Sequence, residues 1–266
     1  MKNLKRCGYC ESVRALGLIL LGSVVAACGG NTGTVDASST TDVTRGEKTA
    51  ATCIAGTVRP VGSAATSYAA VVQERAVAFR VPGSGRFASF GPENVNGVPT
   101  VFSVIAERLD ASCDPVWYRV RLPLKPNGIT GWVRAADVEL APVTTRILVD
   151  LSARRVTLYD RGRRVLVARA AVGSEQTPTP TGSYYVNQRL VPRDRGGPFG
   201  PGAIGISAFS EVLTGWTQGG PIAIHGTNRP ELIGRAVSNG CVRVRNDLLV
   251  KLFERTRAGT PVTVRL

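Results

Sequence analysis

The sequence predicts a mainly β protein, a small N-terminal β-barrel followed by a second β-rich domain with one short helix near the C-terminus. Three observations predict it. Short runs rich in Val, Ile, Leu, Tyr and Thr recur from about residue 53 onward, each stopped by Gly, Pro, Asn or Asp. A helical period is read at Leu248–Arg255. The length, 266 residues, accommodates two modest domains with real cores.

The chain opens with Lys2, Lys5, Arg6 and Arg14, followed by the apolar run Ala15–Ala27. That run is too short to cross a bilayer and fits the hydrophobic part of a secretory signal, so residues 1–27 are expected to be removed on export. It ends in Val25-Ala26-Ala27-Cys28, which resembles the lipobox of bacterial lipoproteins. The resemblance implies a lipid-modified Cys28 that anchors the protein to a membrane on its extracytoplasmic side. Residues 28–52 are Gly, Asn, Thr, Ser and Asp with little apolar content, a composition that cannot offset chain entropy and reads as a flexible tether. Some two dozen such residues reach on the order of 25 to 30 Å. The formal charge is +14, of which residues 1–27 carry +3 (four basic, one acidic), leaving +11. Nucleic acid is not the expected partner, since no basic helix, zinc finger or aromatic RNA-binding signature accompanies the arginines. Anionic wall polymers or lipid headgroups fit an exported protein better.

Of the six cysteines, Cys7 and Cys10 leave with the signal and Cys28 is lipidated, so Cys53, Cys113 and Cys241 remain. An oxidising compartment favours a disulfide, and Cys53 with Cys113 is the expected pair because Cys241 must stay free for the role described below. No metal is expected: one histidine and no close cysteine pair outside the signal make a poor zinc site.

Residues 53–142 form the first domain. Ala76–Val81 reads as a strand before Pro82-Gly83, and Val101–Ile105 as another. Val116–Leu122 and Thr130–Arg134 alternate on either side of Pro126-Asn127-Gly128, which indicates a hairpin. With its Trp117-Tyr118, its Pro-Asn-Gly turn and Gly131-Trp132-Val133, this hairpin resembles the closing hairpin of bacterial SH3-like domains. Trp117 and Trp132 are expected to pack rather than to bind a ligand.

Residues 144–266 form the second domain. Ile147–Leu151, Arg155–Tyr159 and Arg164–Ala170 are separated by the turns Ser152-Ala153-Arg154 and Asp160-Arg161-Gly162, and read as three antiparallel strands. The prolines of Thr177-Pro178-Thr179-Pro180-Thr181-Gly182 break the ladder before a strand at Tyr184–Val186. The Gly- and Pro-rich segment Pro192–Gly205 is expected to be a loop long enough to shape or cover a site. Leu248–Arg255 is an amphipathic helix with Asn246 or Asp247 as its cap, and Pro261–Val264 closes as a strand.

Two motifs carry chemistry. Ile222-Ala223-Ile224-His225-Gly226-Thr227 precedes Ser238-Asn239-Gly240-Cys241-Val242-Arg243 by ten residues, and His225 is the chain's single histidine. A thiol near an imidazole is a nucleophile with its base. Cys241 would attack, His225 would take and return the proton, and backbone N–H groups around Gly240 and Cys241 would hold the oxyanion. Glycine at 240 admits close approach of main chain to substrate.

With the strand carrying Val149-Asp150-Leu151, the Pro178–Gly182 turn, His225-Gly226-Thr227 and Ser-x-Gly-Cys-x-Arg at Ser238–Arg243, residues 146–266 resemble the L,D-transpeptidase catalytic domain of the YkuD type. The resemblance implies that the Gly226 carbonyl orients His225. Ser238 and Thr227 support the site, and Arg243 positions the cysteine segment or a substrate carboxylate. Asn239 stands where many members carry histidine, which rules out a second imidazole. The implied substrates are peptidoglycan stem peptides, a donor tetrapeptide and an acceptor stem, joined as 3-3 cross-links without a cofactor. Tyr184, Trp216 and Arg193-Asp194-Arg195 are candidates either for the cleft wall or for packing and solvation. An L,D-carboxypeptidase would share the nucleophile, and a non-catalytic peptidoglycan-binding lipoprotein is the alternative from another class. A papain-like order is disfavoured because it puts the cysteine before the histidine.

Overall fold

The computed structural model describes residues 53–213 and 215–266, together with the two-residue strand β1 (Leu4–Lys5). The expected cleavage after residue 27, the lipidation of Cys28 and the 28–52 tether lie outside these residues. No helix among the described residues is long and apolar enough to cross a membrane.

The first domain is an antiparallel sheet of eight strands: β2 (Val58–Pro60), β3 (Ser67–Val72), β4 (Ala76–Val81), β5 (Ser84–Phe90), β6 (Val101–Leu109), β7 (Pro115–Arg121), β8 (Thr130–Arg134) and β9 (Val138–Val143). They run in the order β5-β4-β8-β7-β6-β3-β9, with β2 on β6. Strand alternation explains the core. On β7, Tyr118 and Val120 point inward while Arg119 between them is exposed, and Phe102, Leu122 and Val133 complete the same buried cluster. Trp117 lies edge-on against Phe79 with the Arg134 guanidinium over its ring, so it packs as expected. Cys53 and Cys113 are joined, with Cα atoms 5.3 Å apart.

The expected hairpin between β7 and β8 is present, with Arg121 opposite Thr130, but its connection is longer than a tight Asn-Gly turn. Asn127 is recruited elsewhere. Its Nδ2 donates to the Phe209 carbonyl at 2.8 Å, and its Oδ1 accepts from the Phe209 N–H at 2.8 Å, which ties this loop to the second domain.

The second domain comprises β10 (Thr145–Asp150), β11 (Arg155–Asp160), β12 (Arg163–Gly173), β13 (Gly182–Pro192), β14 (Ala203–Phe209), β15 (Pro221–His225), β16 (Ala236–Ser238), β17 (Val242–Val244), the helix α1 (Asn246–Arg255) and β18 (Pro261–Arg265). The order β13-β14-β15-β17-β12-β11-β10-β18, with β18 also pairing β13, closes the sheet into a barrel. Its core takes alternate residues from each strand: Ile147 and Val149, Val156 and Leu158, Ile222 and Ile224, Val242 and Val244. Leu249 and Leu252 of α1 pack into the same cluster. Arg161 (φ 46°) and Gly162 (φ 78°) supply the two left-handed residues of the tight turn between β11 and β12.

Two expectations are corrected here. The Pro192–Gly205 loop is shorter than read, because β13 runs to Pro192 and β14 begins at Ala203. The helix α1 starts at Asn246 with Arg245 in the cap position and no side-chain cap, so neither Asn246 nor Asp247 caps it. Asn246 is occupied by another partner, described below, while Asp247 still places an acid in the first turn, where the helix dipole favours it.

Candidate active site

Strand alternation sets the site. Because Ile222, Ile224, Val242 and Val244 fill the barrel core, the intervening Ala223, His225, Cys241 and Arg243 belong to the opposite, outer face. Strands β15 and β17 run parallel with Ile224 beside Val242 and His225 beside Arg243. Cys241 therefore stands one inward-outward step from His225 on the adjoining segment.

His225 is only 4% exposed, and its Nδ1 lies 2.6 Å from the Gly226 carbonyl. A carbonyl only accepts, so Nδ1 carries the proton and Nε2 is left as the acceptor. Burial lowers the proton affinity of the imidazole to about 4; the Gly226 bond opposes this and the Arg243 charge adds to it. Across the neutral range the ring is uncharged. Phe199, from the loop between β13 and β14, covers it with ring centroids 4.9 Å apart. Cys241 is a half-buried free thiol. Burial pushes it above its ordinary range, countered by the Ala223 N–H and by Arg243. Thiol and imidazole are thus both neutral at rest; the thiol is directed at the Pro221 carbonyl at 4.0 Å, with the Ala223 amide and the Arg243 guanidinium in place to receive negative charge on sulfur. The Arg243 Nε is buried without a hydrogen-bond partner. Among the described residues no group of three or more His, Cys, Asp and Glu could hold a metal ion.

Residues 144–264 match a family model described as the L,D-transpeptidase catalytic domain, YkuD. This stretch is similar to that domain. It is 36% identical over 118 residues to YkuD of Bacillus subtilis, a match that covers 44% of this chain and 64% of that protein. YqjB of Bacillus subtilis is 34% identical over 108 residues, covering 37% of this chain and 58% of that one. The chain thus spans less than two thirds of these relatives' length. Among solved structures, L,D-transpeptidase 3 from Mycobacterium tuberculosis aligns with 54% of this chain and 76% of its own at 18% identity and a TM-score of 0.39.

The second domain holds its motif residues in two clamps. In the first, Asn246 Oδ1 accepts from the Thr227 N–H at 2.8 Å, and Thr227 Oγ1 accepts from the Arg229 N–H at 2.9 Å. The same Oδ1 would lie 2.3 Å from a Cβ at Gly226, so no side chain fits there. In the second, Ser238 Oγ donates to the Cys241 carbonyl at 2.5 Å and accepts from the Gly240 N–H at 3.2 Å. Gly240 sits at φ 101°, a left-handed conformation that glycine tolerates. Its amide is thereby spent, which corrects the expectation that it shares in holding an oxyanion.

Other candidates separate cleanly. Asn239 is exposed. Tyr184 belongs to the barrel core, donates to the Thr181 carbonyl at 2.9 Å, and has its hydroxyl pKa pushed up to about 12 by burial and the charge of Glu211. It is packing rather than cleft wall. Trp216 is half exposed, and Arg193, Asp194 and Arg195 are solvated, with Asp194 bonding the Gly196 N–H. Sequence reasoning missed Phe199, Asn246 and the hydroxyls of Thr177 and Thr179. The signal for the threonines was the Thr-Pro-Thr-Pro-Thr-Gly turn itself, read as a strand break.

Proposed function

We propose that this protein is a peptidoglycan L,D-transpeptidase that works through a Cys241 thioester. The observation that carries the reading is the His225 ring. Its Nδ1–H is committed to the Gly226 carbonyl, so Nε2 is the acceptor on the face that also bears Cys241. In the reaction, the sulfur bonds to the carbonyl carbon of the third, diamino-acid residue of a donor tetrapeptide, and the thiol proton passes to His225. Collapse breaks the C–N bond, His225 protonates the leaving amine, and D-alanine departs. The side-chain amine of an acceptor stem then attacks the thioester, loses its proton to His225, and regenerates the thiol with a 3-3 cross-link formed. Arg243, with an unpaired buried Nε, is suited to hold a stem-peptide carboxylate near the sulfur.

The accompanying proposals concern the rest of the chain. Residues 1–27 direct export, Cys28 carries a lipid anchor in the cell envelope, and the first domain has an SH3-like fold. The decisive measurement is mass spectrometry of purified protein incubated with disaccharide-tetrapeptide, with Cys241→Ala as control. A cross-linked dimer lacking one D-alanine, made only by the wild type, is the expected product. Tripeptide alone would make the protein an L,D-carboxypeptidase, and no Cys241-dependent product would leave a wall-binding module.

A further inference from the structure

The turn that carries the nucleophile is gripped from a segment more than sixty residues earlier. Thr177 Oγ1 donates to the Ser238 carbonyl at 2.9 Å, and Thr179 Oγ1 donates to the Gly240 carbonyl at 2.8 Å. Thr179 is buried, 4% exposed, and its hydroxyl cannot rotate freely because it also accepts from the Gly173 N–H at 2.9 Å. The segment behind it is equally fixed: a Cβ at Gly173 would lie 2.3 Å from the Thr179 nitrogen.

We propose that Thr179 is a positioning residue that aims the oxyanion donor of the site. The inference rests on the acyl-transfer reading above. A trans peptide unit is planar, so the Gly240 C=O and the Cys241 N–H point in opposite directions from one rigid plate. A hydrogen bond that holds the oxygen fixes the direction of the N–H. That N–H is the one that matters, because the Gly240 amide is taken by Ser238 Oγ, whereas the Cys241 N–H has no acceptor among the described residues. The plate needs holding. It is flanked by a glycine at φ 101°, whose torsional freedom would otherwise let the peptide rotate at small cost. When the thiol sulfur bonds to the carbonyl carbon, the π electrons move to oxygen, and an amide already aimed there stabilises the charge without reorganisation.

The test separates aim from structure by comparing two reactions of the same sulfur. Acylation by a carbapenem-type β-lactam passes through an oxyanion, while alkylation by iodoacetamide displaces iodide at a saturated carbon and develops none. Wild type, Thr179→Val, Thr179→Ser and Cys241→Ala are compared by the rate of adduct mass gain. Valine keeps the shape of threonine and removes the hydroxyl. Thr179→Val is expected to acylate on the order of 10- to 100-fold more slowly, short of the full loss of an oxyanion donor, with alkylation unchanged within about twofold and Thr179→Ser near wild type. Equal slowing of both reactions would reduce Thr179 to a structural part, and unchanged acylation would remove its role altogether; either overturns the proposal. A wild type that alkylates at Cys241 but gains no β-lactam adduct would overturn the acyl-transfer reading and this inference with it.

Discussion

His225 enters the folded state with its proton affinity lowered to about 4, against about 6.5 in an unfolded chain. Above pH 6.5 neither state binds the proton, and the buried neutral ring costs nothing. As pH falls from 6.5 towards 4, only the unfolded chain takes the proton, so stability drops across that window and the loss levels off below it. The expected loss is on the order of 3 kcal/mol. Urea unfolding at pH 7, 5.5 and 4 should show that slope in the wild type and a flatter one in His225→Asn. The thiol gives a second expectation at the same scale. Because burial raises its proton affinity, Cys241 alkylation should still be accelerating at pH 9 instead of levelling off near neutrality; a plateau below pH 7 would mean a thiolate–imidazolium pair at rest. His225, Cys241 and Ser238 were legible in the sequence because their types are chemically distinctive and their spacing is tight. Thr179 and Asn246 were not, because a hydroxyl or an amide acquires its role only from a partner the fold brings to it.

At the scale of elements, α1 and the turn between β12 and β13 serve as brackets for the two motif loops. Asn246→Ala would leave the Thr227 N–H without its acceptor, at a cost of about 1 to 3 kcal/mol, and would loosen the Gly226 carbonyl that orients the ring. Gly226→Ala should be worse, because the added methyl meets Asn246 Oδ1 and Pro201 at once. Both variants are expected to lower kcat more than they raise KM in the stem-peptide assay, whereas an equal loss of substrate binding would place the defect elsewhere. The longer strands were legible from alternation and turn residues. The three-residue strands β16 and β17 were not, since so short a run carries no period, and the cap of α1 was misread because Asn246 spends its side chain across the site.

For the molecule as a whole, the joint between domains is a single residue, Thr144, between β9 and β10. The domains are further locked by Asn127 on Phe209, by Asn94 and Asn96 donating to Gln188, and by Gly259 backed against Ala69. Calorimetry should therefore show one unfolding transition, and Asn127→Ala should split or broaden it. The docking could not be read from the sequence, because Asn127 and Asn96 look like ordinary turn residues until the opposing surface is known.

The bond between Cys53 and Cys113 has a mechanical consequence. The strand that follows Cys53, β2, is three exposed residues paired only to β6, a strand that any pull on the upstream chain would otherwise unzip one residue at a time. With the bond in place, the load enters the fold at the β6–β7 turn and bypasses β2. Under reducing conditions the same pull would peel the edge first.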